Sequence, residues 1–222
     1  MKAIILAGGR GKRLRPITDY VPKPLIPIRN IPIIEWQIKY LKKFGISEVI
    51  ICSGYKTKMI ENYLNNKKLG IKITFSIENK PLGTGGAIKK AGKKIKDQSF
   101  LVINGDIITN IDLKKLIKKE NSIASIQLKT KFGILQTDKD KIMKFSEKKE
   151  IKNVWMNAGI YHLNKKTLKE LPKIGDIEKT LFPDYAKKEK LSTVKFTNSK
   201  WYSVDSFKDM EECSLVIEKI IK

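Results

Sequence analysis

The sequence predicts an α/β fold, a mostly parallel mixed sheet with helices on both faces. Two observations point there. Apolar runs rich in isoleucine recur at residues 2–7, 48–53 and 100–104, and an unbroken apolar run is the pattern of a strand buried on both faces. Helical patterns separate these runs through the first half, and strand–helix alternation implies parallel strands joined by crossovers. A chain of 222 residues, 41% of them apolar, can bury a sizeable core. No Ser/Gly linker and no internal repeat divides it, so a single domain over residues 1–222 is expected.

The elements follow in order. Residues 2–7 form a first strand that stops at glycines. Pro32 opens a helix with Ile33, Ile34, Trp36, Ile38, Tyr40, Leu41 and Phe44 apolar, and Gly45 ends it. Residues 48–53 are a second buried strand and 56–64 a helix. Residues 71–77 alternate apolar and polar, as a half-buried strand does. A glycine turn opens a short helix at 84–91. Residues 100–104 form a third buried strand, and Asp112, a capping type of residue, starts a helix at 112–118. Short strands follow at 123–128, 132–137 and 141–145, with a hairpin tip at 138–140. Residues 158–163, 191–196 and 201–204 read as strands; 167–171, 177–187 and 206–221 read as helices.

Composition narrows the function. Forty-six basic residues against 23 acidic ones give a formal charge of +23, which raises nucleic-acid binding as one reading. Only four of the 46 are arginine, however: Arg10, Arg13, Arg15 and Arg29, all within the first 30 residues. Sequence-reading proteins lean on arginine forks. Lysine spread along the whole chain reads as a solvated surface whose field attracts small anions such as phosphates. No apolar run reaches the roughly 18 residues a membrane span needs, and the N-terminal run is too short for a signal peptide. Cys52 and Cys213 have neither metal-ligand spacing nor a disulfide framework. That argues against zinc or thiol redox chemistry and places the chain in a reducing cytoplasm.

The first strand runs into Gly8-Gly9-Arg10-Gly11-Lys12-Arg13-Leu14-Arg15. Glycines at this point let backbone N–H groups approach an anion. The dinucleotide fingerprint is excluded because Leu14 stands where its third glycine belongs. A P-loop is excluded because it needs glycine at Leu6 and Ser/Thr at Arg13. Glycines with cationic side chains suit a polyphosphate; a basic surface turn is the alternative. Next comes Val21-Pro22-Lys23-Pro24-Leu25-Ile26-Pro27. The flanking prolines stiffen the backbone, deny Lys23 helical freedom and could deliver its charge to a phosphate; a proline-rich connector with an incidental lysine is the other reading.

Taken together, AIILAGGRGKRLRPIT followed by VPKPLIPI resembles the signature of the sugar-phosphate nucleotidyltransferases, a GGxGxRLxPLT loop followed by PKPLxP. Further segments match in the same order: residues 53–55 (SGY), 81–87 (PLGTGGA), 102–106 (VINGD), 145–148 (FSEK), 157–161 (NAGIY) and 177–183 (IEKTLFP). They span nearly the whole chain. The resemblance implies a Rossmann-like fold of the nucleotide-diphospho-sugar transferase type, GT-A-like, with a nucleotide-binding half at about 1–110 and a sugar-binding half at about 111–222. It also implies a reaction, in which a sugar 1-phosphate attacks the α-phosphate of a nucleoside triphosphate to give a nucleotide-sugar and pyrophosphate.

By this resemblance Leu6, Ala7 and Gly8 lie against base and ribose, while Gly9 and Gly11 let the loop wrap the nucleotide. Arg13 holds the β- and γ-phosphates, and Lys23 neutralises the sugar phosphate and the developing charge at the α-phosphate. Leu82, Gly83 and Thr84 pass close to the base. The attacking phosphate is already anionic, so no general base is required, and His162 is expected to be structural. Asp106, at the carboxyl end of a strand, fits a Mg²⁺ ligand better than a helix cap. The second carboxylate of the family lies in a Trp-x-Asp-x-Gly segment; Asp205 fits in residues 201–206, although the glycine is missing. On the sugar side the resemblance points to Gly105, Glu147, Lys148, Asn157, Gly159 and Glu178. The spelling PLGTGGA is similar to guanylyltransferases acting on mannose- or heptose-type 1-phosphates. UTP-, dTTP- or CTP-dependent transfer to another sugar 1-phosphate or phosphocholine is the alternative. Nothing in the residues after Phe207 resembles the hexapeptide repeats of a β-helix. The final helix is expected to pack on the core, with a homodimer contact as the other use for it.

Overall fold

The computed structural model describes residues 1–130, 132–147 and 150–221. Seven strands form the central sheet, in spatial order Ser192–Phe196, Ser122–Lys129, Glu150–Asn164, Ser99–Asn104, Lys2–Ala7, Glu48–Ser53, Lys72–Ile77. Four of the six pairings are parallel. The two antiparallel ones both involve Glu150–Asn164, which enters the sheet between Ser122–Lys129 and Ser99–Asn104. The mixed, mostly parallel sheet expected from the sequence is therefore present.

Side-chain alternation explains why both faces are covered. Along the first strand Ala3, Ile5 and Ala7 enter one apolar cluster, with Ile34, Ile38 and Leu41 of the Ile33–Lys43 helix and Ile60 of the Thr57–Asn65 helix. Ile4 enters another, with Ala87, Ile88 and Ala91 of the Gly83–Gly92 helix and Leu181, Phe182 and Tyr185 of the Leu181–Lys187 helix. A third cluster joins Leu14, Ile26, Ile28 and Ile33 to Ile108, Val204, Cys213, Ile217 and Ile220. It anchors the loops after the first strand onto the C-terminal segment.

Several expectations need correction. Lys23 is not denied helical geometry: Lys23–Leu25 is a single 3-10 turn, with Pro22 extended before it and Pro24 at an early position where a missing N–H costs nothing. The apolar core at 158–163 extends into a fifteen-residue strand, Glu150–Asn164. Its register shifts between Asn157 and Tyr161, around Gly159 at φ 69°. The helix expected at 177–187 is broken at Thr180 into a 3-10 turn, Ile177–Lys179, and the helix Leu181–Lys187. That at 206–221 is two helices, Phe207–Ser214, capped by the Ser206 hydroxyl, and Ile217–Ile221. Ile217 and Ile220 are buried in the third cluster, as core packing requires, while Phe207 is exposed. Ile107–Thr109 went unrecognised as a strand, and it pairs antiparallel with Trp201–Ser203.

Candidate active site

A cleft of about 750 Å³ opens at the carboxyl ends of the parallel strands, where open α/β sheets bind ligands. One wall is the loop after the first strand, from Leu6 to Leu14. The floor is Asn104, Gly105 and Asp106, and the far side is Glu78, Pro81, Gly83, Thr84, Ala87 and Asp176. Lys23, Pro24 and Asp205 close the end.

Backbone geometry brings these segments together. Gly105 donates its N–H to the Leu6 carbonyl at 2.9 Å, and a Cβ at Gly105 would lie 2.3 Å from that oxygen. Only glycine permits this approach. Gly11 sits at φ 62°, and its carbonyl accepts from the Thr18 hydroxyl. The ribbon of Ile107–Thr109 and Trp201–Ser203 extends by a bond from Val204 N–H to the Asp106 carbonyl at 3.0 Å. That bond sets Asp205 beside Asp106, 99 positions away in the chain.

The charged groups converge as a result. Lys23 Nζ donates to Asp106 Oδ2 and to Asp205 Oδ1, both at 2.7 Å. Arg13 Nη2 lies 2.8 Å from the same Asp205 oxygen. Lys23 is nearly enclosed, at 12% side-chain exposure, whereas Arg13 is 76% exposed and free to reach a ligand. Burial pushes the Asp205 carboxyl up, but the hydrogen bonds from Lys23 and Ser203 and the Lys23 and Arg13 charges outweigh it and hold it below the ordinary aspartate range. Among the described residues no group of three or more His, Cys, Asp or Glu side chains is placed to hold a metal; the carboxylates here are a pair.

Of the residues singled out from the sequence, Leu6, Ala7, Gly8, Gly9, Gly11, Arg13, Lys23, Gly83, Thr84, Gly105, Asp106 and Asp205 all line the cleft. Leu82 does not. The N–H groups of Gly85 and Gly86 donate to the Gly175 carbonyl, which caps the start of the Gly83–Gly92 helix. Asn157, Gly159 and Glu178 stand behind the lining and reach it through Thr84, whose hydroxyl donates to Glu178. Glu147 is exposed after the Lys141–Ser146 strand and is not among the lining residues; Lys148 lies outside the described residues. His162 is buried with Nδ1 2.8 Å from the Lys119 carbonyl, away from the cleft.

Sequence reasoning missed Glu78 and Asp176. Glu78 follows the Lys72–Ile77 strand and continues its ladder, its N–H donating to the Ser53 carbonyl. Its Oε2 accepts from the Leu82 N–H, and burial raises its pKa above the ordinary glutamate value. The signal that found Asp106, an acid just beyond a parallel strand, was available for Glu78 too.

An α/β sheet whose strand ends carry a cationic, carboxylate-paired cleft is the framework of a nucleotide-handling enzyme. Residues 2–219 match the nucleotidyl transferase family, NTP_transferase, and the chain belongs to it. The chain is 41% identical over 202 residues to the D-glycero-alpha-D-manno-heptose 1-phosphate guanylyltransferase of Campylobacter jejuni, covering 88% of this chain and 84% of that protein. It is 39% identical to the probable mannose-1-phosphate guanylyltransferase 1 of Oryza sativa over 84% of this chain and 56% of that longer protein. The crystal structure of HddC from Yersinia pseudotuberculosis superposes with a TM-score of 0.78 at 30% identity, covering 96% of this chain and 98% of that one. The same protein complexed with GMP-PN gives 0.74.

Proposed function

We propose that the protein transfers the GMP unit of GTP to a mannose- or heptose-type 1-phosphate, giving a GDP-sugar and pyrophosphate. The observation that carries this reading is the Lys23–Asp106–Asp205 cluster, with Arg13 beside it, at the end of a glycine-walled cleft. A phosphate oxygen of the sugar phosphate attacks the α-phosphorus, the α–β bridging P–O bond breaks, and pyrophosphate leaves with the electron pair. The nucleophile is already ionised near neutral pH, so no side chain needs to take a proton. Lys23 moves from the carboxylates to the charge growing on the α-phosphate. Arg13, exposed at the mouth of the cleft, neutralises the departing pyrophosphate.

The residues present fit a divalent cation. Asp106 and Asp205 already converge on one positive centre. Two carboxylates plus phosphate oxygens is the donor set that Mg²⁺ favours. Asp106 and Asp205 would hold Mg²⁺, which when bound would offset triphosphate charge and polarise the α-phosphate.

Glu78 favours guanine over the other bases. An ionised carboxylate only accepts hydrogen bonds, and guanine presents two adjacent donors, N1–H and the 2-amino group. Uracil and thymine present one N–H between two carbonyls, which leaves an acceptor facing an acceptor. Glu147, Lys148, Asn157, Gly159 and Glu178 are proposed for the sugar side on the family pattern. The buried, unpaired thiols of Cys52 and Cys213 support a reducing, cytoplasmic setting; no described helix is long and apolar enough to cross a membrane.

The test is pyrophosphate release from GTP, UTP, dTTP or CTP, each paired with several hexose and heptose 1-phosphates or with phosphocholine. GTP with a manno-configured sugar gives the highest kcat/KM on this reading. Asp106→Ala and Lys23→Ala each lower turnover by about 10³-fold or more while the protein stays folded. Near-normal turnover in either variant removes that residue from the mechanism.

A further inference from the structure

We infer that Gln37 is a positioning residue for Asp106. From the Ile33–Lys43 helix its carboxamide clamps the turn that carries that carboxylate, and so sets where Asp106 meets Lys23 and a divalent cation. The inference rests on the reading of the cleft as a sugar 1-phosphate nucleotidyltransferase site in which Asp106 holds the metal.

Gln37 lies on the buried side of its helix, at 2% exposure, one turn after the buried Ile33 and Ile34 and one turn before the buried Tyr40 and Leu41. By helical spacing this is a core position, where an unbonded amide is costly. Gln37 Nε2 donates to the Asn104 carbonyl at 2.7 Å and to the Ile107 carbonyl at 2.9 Å. A carboxamide nitrogen carries two protons, and both are used. Gln37 Oε1 is buried with no partner among the described residues, so the amide is placed for what it donates. Asn104 and Ile107 bracket Gly105 and Asp106. Gln37 itself is not among the residues lining the cleft, so it acts on a ligand only through this turn.

The turn needs such a hold. Gly105 is required there because a Cβ would strike the Leu6 carbonyl, and glycine is the residue least able to restrict its own backbone. That freedom adjoins Asp106, whose Oδ2 sits 2.7 Å from Lys23 Nζ. Backbone bonds fix two points, from the Gly105 N–H to the Leu6 carbonyl at 2.9 Å and from the Val204 N–H to the Asp106 carbonyl at 3.0 Å. Gln37 adds one bond on each flank. Rotation of either flanking peptide would swing the Asp106 carboxylate away from Lys23 and Asp205. Groups behind a metal-holding side chain govern its affinity in this way.

Gln37→Met keeps the unbranched side chain and removes both donors. The expected result is a kcat lowered about tenfold, with KM for the sugar 1-phosphate within about twofold. A readout without turnover is Mn²⁺ binding to the GTP complex in the absence of sugar phosphate, followed by the enhancement of water-proton relaxation. Its dissociation constant rises about tenfold in Gln37→Met. In an Asp106→Asn background the same substitution costs less than about twofold, because the carboxylate it positions is gone. Gln37→Glu keeps the shape and at most one donor; it weakens Mn²⁺ in the same direction and carries the test should Gln37→Met fail to fold. Mn²⁺ binding as tight in these variants as in the unmodified enzyme overturns the inference, as does an equal loss in both backgrounds, which is what a merely structural role gives. Absence of pyrophosphate release by the unmodified enzyme with every triphosphate and sugar phosphate overturns the underlying reading instead.

Discussion

At the scale of single residues, the site is a set of charges that satisfy one another. Lys23 sits between two carboxylates and Arg13 shares one of them, so each cation and each carboxylate has a partner of opposite charge. Substrate phosphates and a divalent cation offer each group a new partner of the same sign as the old one. Glu78 pairs with no such cation among the described residues. Burial raises its pKa, opposed by the Leu82 N–H and the Lys90 charge, and a paired donor edge on a base is what such a carboxylate lacks. Glu78→Gln therefore lowers kcat/KM for GTP by about 10- to 100-fold and raises UTP or dTTP relative to GTP, since the amide presents one donor and one acceptor. Initial rates with the four triphosphates measure this, and unchanged GTP preference would take base reading away from Glu78. The pH dependence has a sign. As pH falls through the raised Glu78 value the carboxylate gains a proton and presents an O–H donor in place of one acceptor, so KM for GTP climbs in the unmodified enzyme and stays flatter in the variant.

Among elements, two short pieces that no periodicity announces do the assembling. The ribbon of Ile107–Thr109 and Trp201–Ser203 is three residues per strand, too short for a repeat pattern to register, yet it carries Asp205 to Asp106. The 3-10 turn Lys23–Leu25 is equally short and aims Lys23 at both. Gly105 lies beside them, where two parallel strand ends meet. A methyl group there collides with the Leu6 carbonyl at 2.3 Å, and backbone cannot swing aside as a side chain can. Gly105→Ala is expected to cost about 1–3 kcal/mol and to lower kcat as well, because Asp106 follows directly. Thermal melting beside pyrophosphate-release rates checks it; a variant as stable and as active as the unmodified enzyme would show that the strand ends have slack. The buried strands at 2–7, 48–53 and 100–104 and the helix Ile33–Lys43 were legible from apolar spacing. The breaks at Thr180 and between Ser214 and Ile217 were not, because helical periodicity continues across both in the sequence while local backbone geometry does not.

On the scale of the whole molecule, the cleft is also a clamp. Arg13 and Lys23 come from near the start of the chain, Asp106 from its middle and Asp205 from near its end. Their ion pairs tie the N-terminal loops to the C-terminal segment over the third apolar cluster. Because the folded Asp205 pKa lies below its ordinary value, its stabilising contribution is complete above the ordinary aspartate range and is lost as pH falls through the depressed value. The melting-temperature gap between the unmodified protein and Asp205→Asn should be largest near neutral pH and close on acidification. A gap independent of pH would mean that the carboxylate does not act through its charge.

The glycine loop, Lys23, Asp106 and the alternation of buried strands with helices were all readable in the sequence, because backbone approach, point charge and apolar periodicity are local properties. The meeting of Lys23 with both carboxylates and the place of Glu78 in the cleft wall were decided only by the tertiary structure. Lys23 lies 83 positions from Asp106 and 182 from Asp205, and hydrogen bonds of about 3 Å act through space, which a linear pattern does not record.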